Sequence, residues 1–474
     1  MAEQEGMTVK KNNFSEWYTE ICNKGELADI RYNVKGFVVF RPWAVKAMNN
    51  MFAILEKELE SRGHSPALFP ALIPESNFKK ESEHVEGFLP EVFWVTKVGS
   101  GTERLEENLA MRPTSETAMY PMFALWVRSH SDLPLKTYQI VNTFRYETKQ
   151  TRPFVRVREI HFFEAHTCHT DFEDAEKQIK EYHEILKNVA EKLCLPYILT
   201  KRPDWDKFAG AFYSVGIDTL MPSGKTLQIG SIHQYMENFS KAYDIKYEDK
   251  KGGHSFVHQT TFGMSERLVG AVIGVHGDEK GLVLPPEIAP VQIVIVPIFK
   301  KENEKTVKDE CEKVRGMLKD FRVHLDYRDI TPGSKYYDWE LKGVPLRIEI
   351  GPKDVRKQCV VFVRRDNGEK FEIKTEKVAG EAGKTLKNIE ENLLKKAEKL
   401  LKSRVKKFEK LVEAKNFDGI VKTGWCGKEN CGLDIEEKLD MKTLGTLMEK
   451  ETFKGKCASC GKDTDIVVYM ARTY

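Results

Sequence analysis

The sequence predicts a multidomain chain of mixed α/β and α+β class, and three observations carry that prediction. Its 474 residues are more than one ordinary hydrophobic core supports. Residues 289–384 alternate strand-like and helix-like patterns, as a compact α/β unit does. Beyond them Cys426, Cys431, Cys457 and Cys460 cluster, which points to a small metal-binding unit. Boundaries are expected near 288 and 385, giving domains at 1–288, 289–384 and 385–474.

In the first domain "WAVKAMNNMFAILEKELES" (43–61) has helical periodicity, and the proline-punctuated "RGHSPALFPALIP" breaks it. Residues 144–167, "FRYETKQTRPFVRVREIHFFEAHT", read as two strands around a polar turn. The adjacent prolines of "VLPPEIAP" (283–290) exclude helix. Next comes "VQIVIVPI", a β-branched run suited to a strand buried on both faces. "EKTVKDECEKVRGMLKD" reads as an amphipathic helix, "FRVHLDYR" as a strand and "YYDWELKGVPLRIEIG" as a helix-to-strand step. "QCVVFVRRDNGEKFEIK" forms a hairpin about Asp366–Asn367–Gly368. From Thr385 to Lys415 the apolar positions keep helical spacing, and the lysine-rich remainder is read as a solvated face.

Lys+Arg 75 against Asp+Glu 72 is nearly balanced, so a nucleic-acid partner must be met by a local patch. No run of ~18 apolar residues exists, which argues against a transmembrane helix. "MAEQEGMTVKKNNFSEWY" has no apolar signal-peptide core. Nine cysteines, five of them scattered, suit a reducing compartment, and a cytoplasmic location is expected.

The cysteine cluster carries the sharpest chemistry. C-x4-C at Cys426 and Cys431 and C-x2-C at Cys457 and Cys460 can turn four thiolates onto one structural Zn²⁺. Gly224–Lys225–Thr226 and Gly383–Lys384–Thr385 resemble the end of a phosphate loop, but Thr219 and Val378 stand where its leading glycine belongs. In the 144–167 hairpin, strand alternation puts Arg145 and Glu147 on one face, and Arg156, Arg158 and Glu164 on one face of the return strand. Arginine forks suit phosphate or carboxylate, although a salt-bridged solvated hairpin needs no function. Thr114, Ser115 and Glu116 before a helical pattern read most simply as a cap, and His233 as a satisfied core histidine. Arg267 opens an apolar stretch, where a basic side chain is misplaced unless it points into a site.

With those residues in view, the chain resembles the class II aminoacyl-tRNA synthetases. Pro70 in "FPALIP", the Arg145–Glu164 hairpin and "GMSERLVGA" look like their motifs 1, 2 and 3. "RPTSET", "FRYETKQTRPFVRVRE", "FAG", "ENFSK" and "HGDEKGLVLPP" resemble the prolyl-tRNA synthetases, in the right order along essentially the whole chain. The cysteine-bearing tail and Tyr474 match the form shared by archaea and eukaryotes, which lacks the bacterial editing insertion. The resemblance implies an antiparallel-sheet catalytic domain, an α/β anticodon-binding domain and a small zinc-binding α/β domain. It implies a ligase that activates proline with ATP to prolyl-adenylate and transfers it to the 3′ end of tRNA(Pro).

Residue roles follow by the same resemblance. Arg145 would bridge the substrate carboxylate and the α-phosphate, with Arg156 and Arg267 as the other catalytic arginines. Glu147, Val157, Gln228 and Ser231 would join Arg145, Arg156 and Arg267 around ATP. Thr114 and Glu116 would receive proline's ammonium beside Arg145, and Phe208 and His233 would close the ring pocket. Arg152 is expected at the tRNA acceptor end, and Arg347, Glu349 and Lys353 at the anticodon, whose guanines suit such residue types. Mg²⁺ on the polyphosphate and a homodimer through motif 1 are also implied.

The chain departs from that family near the pocket. Ile160 stands where phenylalanine is usual, Ala211 where glycine is usual, and Ile229 and Ile232 where smaller residues are common. Small apolar groups are separated by only ~1–3 kcal/mol, which leaves room for misactivation of cysteine or alanine. Two rivals remain at this stage. One is a related class II synthetase for threonine or glycine, of which a threonyl enzyme would need a zinc site in the catalytic domain; the other is a non-catalytic RNA-binding relative, which has no reason to keep all three arginines.

Overall fold

The computed structural model describes residues 7–80, 91–449 and 451–474; the opening residues 1–6, part of the segment read as lacking a signal core, lie outside them. The principal elements are α1 (Phe14–Lys24), α2 (Pro42–Glu60), β1 (Ser65–Pro66), β2 (Leu72–Pro74), β3 (Phe93–Val98), β4 (Glu103–Met111) and α3 (Glu116–Trp126). They continue with β5 (Leu135–Phe144), β6 (Glu159–His169), α4 (Phe172–Lys192), β7 (Ile198–Lys201), β8 (Tyr213–Leu220), β9 (Thr226–Met236), β10 (His258–Ser265) and α5 (Arg267–His276). Proline at the first position of α2 removes one amide that would lack an intrahelical partner, and Ala44, Met48, Met51, Leu55 and Leu59 recur at helical spacing on its buried face. That face and the buried positions of α4 pack on an antiparallel run ordered β7-β8-β9-β10-β6-β5, with β1 parallel to β5 at the far edge.

The second unit comprises β11 (Ile293–Pro297), α6 (Glu304–Met317), β12 (Val323–Leu325), α7 (Pro332–Leu341), β13 (Leu346–Ile350), β14 (Cys359–Arg364), β15 (Lys370–Lys374) and α8 (Val378–Ser403). Its sheet runs β12-β11-β13-β14-β15, parallel through the first three strands and antiparallel after β13. Every residue of β11 is buried, as its continuous β-branched run required.

Helix α8 differs from expectation. It begins at Val378 rather than Thr385 and stops at Ser403, so Val405, Phe408 and Leu411 lie beyond it. Val378, Ala382, Leu386, Ile389 and Leu393 bury against the second unit's sheet. Val405 instead enters a short parallel pairing with Ile420, and that pairing competes with further helix.

The last unit contains β16 (Val405–Lys407), β17 (Ile420–Gly424), α9 (Glu429–Leu439), β18 (Lys442–Leu447) and β19 (Val467–Ala471). Strand β18 pairs with β7 through Thr446↔Lys201 and Leu447↔Thr200. The sheet of the first unit therefore runs on without a break into β18-β19-β17-β16, eleven strands in all among the described residues.

The 144–167 hairpin is shorter than expected. Its ladder ends at Phe144↔Glu159, so Arg145, Glu147, Arg156 and Arg158 are not alternating strand residues. The Arg145 amide, donating to the Arg158 carbonyl at 2.9 Å, prolongs the pairing, and Arg152 and Arg156 form an isolated antiparallel bridge nearer the tip. The Tyr146 amide turns to the carbonyl of Glu91 and the Arg158 amide to that of Gly36, so non-local acceptors replace the ladder. Phe154 adopts φ +61° at the loop's inner bend, buried against α5.

Candidate functional site

A cleft of about 270 Å³ opens over the face of β6, β8, β9 and β10, between α3 and the start of α5. The structure brings Thr114, Glu116, Arg145, Phe208, Gln228, Ser231, His233 and Arg267 together along its wall. Ile160 and Phe162, which share a face of β6, also line it.

The inner end is a buried acid cluster. Ser115 occupies the N-cap position of α3, but no cap hydrogen bond from its side chain forms; its hydroxyl accepts from Gln139 Nε2 at 2.7 Å. The Thr114 hydroxyl lies 2.6 Å from Glu116 Oε2 and 2.9 Å from Glu164 Oε1. Tyr235 donates to Glu116 Oε1 at 2.6 Å. A hydroxyl has one proton, so it cannot satisfy two ionised carboxylates at once. Glu164 Oε2 is buried without a hydrogen bond, and so is His166 Nε2, 3.9 Å away. Glu164 Oε2 is thus a buried carboxylate oxygen short of a donor.

The adjoining wall is flat and uncharged. Phe208 stacks on His233 at 4.5 Å between centroids, and Tyr235 lies parallel to that imidazole at 6.0 Å. Burial pushes the His233 imidazole down to about 3 against the pull of Glu116, so it is neutral at pH 7. His233 Nδ1 meets Ser214 Oγ at 2.8 Å, and the same hydroxyl accepts the Phe208 amide at 2.9 Å.

Toward the mouth the site turns basic. Arg145 Nε donates to the Pro113 carbonyl, and Arg267 Nε donates to the Val155 carbonyl at 2.8 Å. Burial pulls the Arg267 guanidinium down to about 10, with Glu266 opposing and Arg145 and Arg156 reinforcing the shift, yet it stays charged at neutral pH. Arg156 pairs with Glu147, which burial would raise but the Lys149 amide and Arg156 hold below the usual carboxylate range. Glu147, Arg156 and Val157 are not in the lining of the cleft itself. Arg156 and Arg152 line a second cavity, with Lys149, Lys225 and Tyr474, on the other side of Val155, and Val157 is buried.

Sequence reasoning missed Arg202 and Asp218. They form an ion pair at 2.9 Å, both more than nine-tenths buried, and Arg202 lies so flat on Gly216 that a Cβ there would come within 2.2 Å of it. The signal was available, because Asp218 is an acid inside a strand all of whose residues are buried.

The expected anticodon residues are partly engaged. Arg347 Nε reaches Glu349 Oε1 at 3.1 Å, and buried Glu349 also accepts from Lys370, while Lys353 is exposed on the following short helix. The four clustered cysteines come together, with every Sγ within 4.8 Å of the others and Cys460 3.8 Å from Cys426. Thiolates about 2.3 Å from one tetrahedral centre lie about 3.8 Å apart, so the set fits Zn²⁺. The backbone amides of Cys460, Ser459 and Cys426 outweigh burial and lower the Cys457 thiol to about 7.

Comparisons with known proteins agree with this geometry. Residues 93–276 match the tRNA synthetase class II core domain (G, H, P, S and T), residues 292–385 the anticodon binding domain, and residues 405–474 the prolyl-tRNA synthetase C-terminal family. The proline–tRNA ligase of Thermococcus kodakarensis is 54% identical over 473 residues, covering 98% of each chain. That of Methanosarcina mazei is 48% identical over 100% of this chain and 99% of its own. Giardia lamblia prolyl-tRNA synthetase in complex with prolyl-adenylate superposes with a TM-score of 0.95 at 36% identity, covering 99% of this chain and 100% of that one. Cryptosporidium parvum prolyl-tRNA synthetase, complexed with halofuginone and AMPPNP, gives 0.93 at 34% identity, with 99% of each chain covered. Shared architecture, full-length identity and a buried acid cluster beside a guanidinium-lined mouth converge, and the chain belongs to the class II prolyl-tRNA synthetases.

Proposed function

We propose that this cleft joins proline to ATP and then to tRNA(Pro), and that the acid cluster around Thr114 carries the assignment. A small zwitterion with a cationic nitrogen matches Glu116 and Glu164 at one end and Arg145 at the other. The neutral Phe208–His233 wall suits an apolar ring between them. Arg145 orients the carboxylate toward the α-phosphorus; a bond forms between carboxylate oxygen and phosphorus as the bond to pyrophosphate breaks. Arg145 and Arg267 then face charge accumulating on the phosphates, where preorganised donors act without reorganisation. Gln228 and Ser231 lie along the nucleotide, and Glu147, Arg156 and Val157 shape its far side. The ribose hydroxyl at the tRNA 3′ end displaces AMP from the adenylate.

The chain's division of labour is proposed as 1–288 for chemistry, 289–384 for the anticodon and 385–474 for the zinc module. Arg347, Glu349 and Lys353 meet the anticodon, with Arg347 and Glu349 exchanging their mutual pair for base edges, and Arg152 meets the acceptor end. Both oxygens of Glu147 are engaged, by the Lys149 amide and Arg156, so Mg²⁺ would ride on the phosphates rather than on that carboxylate. Zn²⁺ would be held by Cys426, Cys431, Cys457 and Cys460 in a structural role.

A homodimer is supported by exposed apolar residues near motif 1. Leu68 is 81% exposed, Leu125 and Trp126 are exposed, and Trp126 packs on Phe69 at 5.5 Å. The nine free cysteines suit a cytoplasmic location, and no helix among the described residues is long and apolar enough to cross a membrane. ATP–pyrophosphate exchange with a panel of amino acids tests the whole assignment. Proline should support exchange, with cysteine and alanine weaker; exchange led by threonine or absent with proline would overturn it.

A further inference from the structure

The segment between β7 and β8, residues 202–212, brings Arg202 and Phe208 to the cleft wall, yet it is also anchored in the cysteine-bearing unit. Arg202 Nη1 donates to the Leu444 carbonyl at 2.8 Å, beside Thr200, whose hydroxyl donates to the same oxygen at 2.7 Å. Trp205 leaves the catalytic core altogether and packs in the core of the last unit, edge-on to Trp425 at 5.7 Å, beside Cys426 and Cys431. Gly432 makes room for it, because a Cβ there would lie 2.4 Å from the Trp205 ring. Three residues on, Phe208 stacks on His233 and donates its amide to Ser214.

We propose that Trp205 is a positioning residue for the amino-acid pocket, and that the four-cysteine unit sets the placement of Phe208 through it. The chain of contact is short and made of packed groups: the cysteine knuckle holds Trp425, Trp425 and Gly432 hold Trp205, and Trp205 fixes the segment whose next turn supplies the ring wall. Arg145, Gln228 and Arg267 lie outside this segment, and Arg202, which does touch the strand pair that carries Gln228 and Ser231, is held by Asp218 and the Leu444 carbonyl rather than by Trp205. Disturbing Trp205 therefore acts on proline and spares ATP. This rests on the cleft being the proline site.

The test is steady-state pyrophosphate exchange on the full chain, with zinc content measured on the same samples. Trp205→Ala is expected to raise the KM for proline about tenfold and leave that for ATP within about twofold, at unchanged zinc content. Trp205→Phe, which keeps a ring in the socket, should recover most of that loss. Gly432→Ala pushes on the same ring from the other unit and should reproduce the proline-selective effect if Trp205→Ala does not fold. An unchanged proline KM in the folded variants, or equal rises for proline and ATP, would overturn the proposal. Failure of the unsubstituted chain to exchange with proline would instead strike the assignment of the cleft.

Discussion

Glu116 and Glu164 converge on the single hydroxyl proton of Thr114, and only one of them can accept it at a time. Two carboxylates sharing one hydroxyl proton favour a ligand whose ammonium donates to both, so binding is coupled to the charge on the ligand's nitrogen. Glu116→Gln should raise the KM for proline about 10–100-fold with little change for ATP, since it removes one partner of a buried charged pair. Exchange kinetics with each substrate varied in turn check this; equal effects on both would show a structural role.

Arg145 donates through Nε to the Pro113 carbonyl, and its side chain lines the cleft beside Glu164 and Arg267. Arg145→Ala should lower proline-dependent exchange at least about 100-fold while the protein stays folded by circular dichroism. Undiminished exchange would remove the arginine from the chemistry.

Glu266 precedes α5 with Oε2 buried and without a hydrogen bond, and burial pushes its carboxyl up to about 8, opposed by its own backbone amide and by Arg267. Below about 4.5 the group is protonated folded and unfolded alike and contributes nothing to pH dependence. Between about 4.5 and 8 the unfolded chain ionises while the folded one stays neutral, so stability falls as pH rises through that window. Glu266→Gln abolishes the penalty, and its stability advantage over the parent should grow by on the order of a few kcal/mol from pH 5 to pH 8. Denaturant titrations at the two pH values measure it.

Cys457→Ser should lose bound zinc and loosen the last unit, because Cys457 sits within the core that also holds Trp425, Ile435 and Met470. Metal analysis and thermal melting check both parts; full zinc retention would refute the four-thiolate site.

Much of this was legible beforehand because local pattern and tertiary environment agree. The strands of the second unit are β-branched where both faces are buried, and the cysteine knuckles are close in sequence as well as in space. The motif 2 loop was misjudged because its amides find acceptors at Gly36 and Glu91, which no alternation can announce. Trp205 was invisible for a related reason, since its partner Trp425 lies more than two hundred positions away. Helix α8 starts ahead of Thr385 although Gly380 and Gly383 weaken its propensity, because burial of Val378 and Ala382 overrides it.

Because β18 hydrogen-bonds to β7, removing the unit that begins near residue 405 would strip a neighbour from the catalytic sheet and bare a row of backbone donors and acceptors. A shortened chain of that kind should be adhesive, with copies recruiting one another edge to edge. The sheet thus makes the cysteine unit a stopper against self-association, a duty separate from any it has toward tRNA, and one that a replacement appendage could fulfil only by offering a strand in the same register.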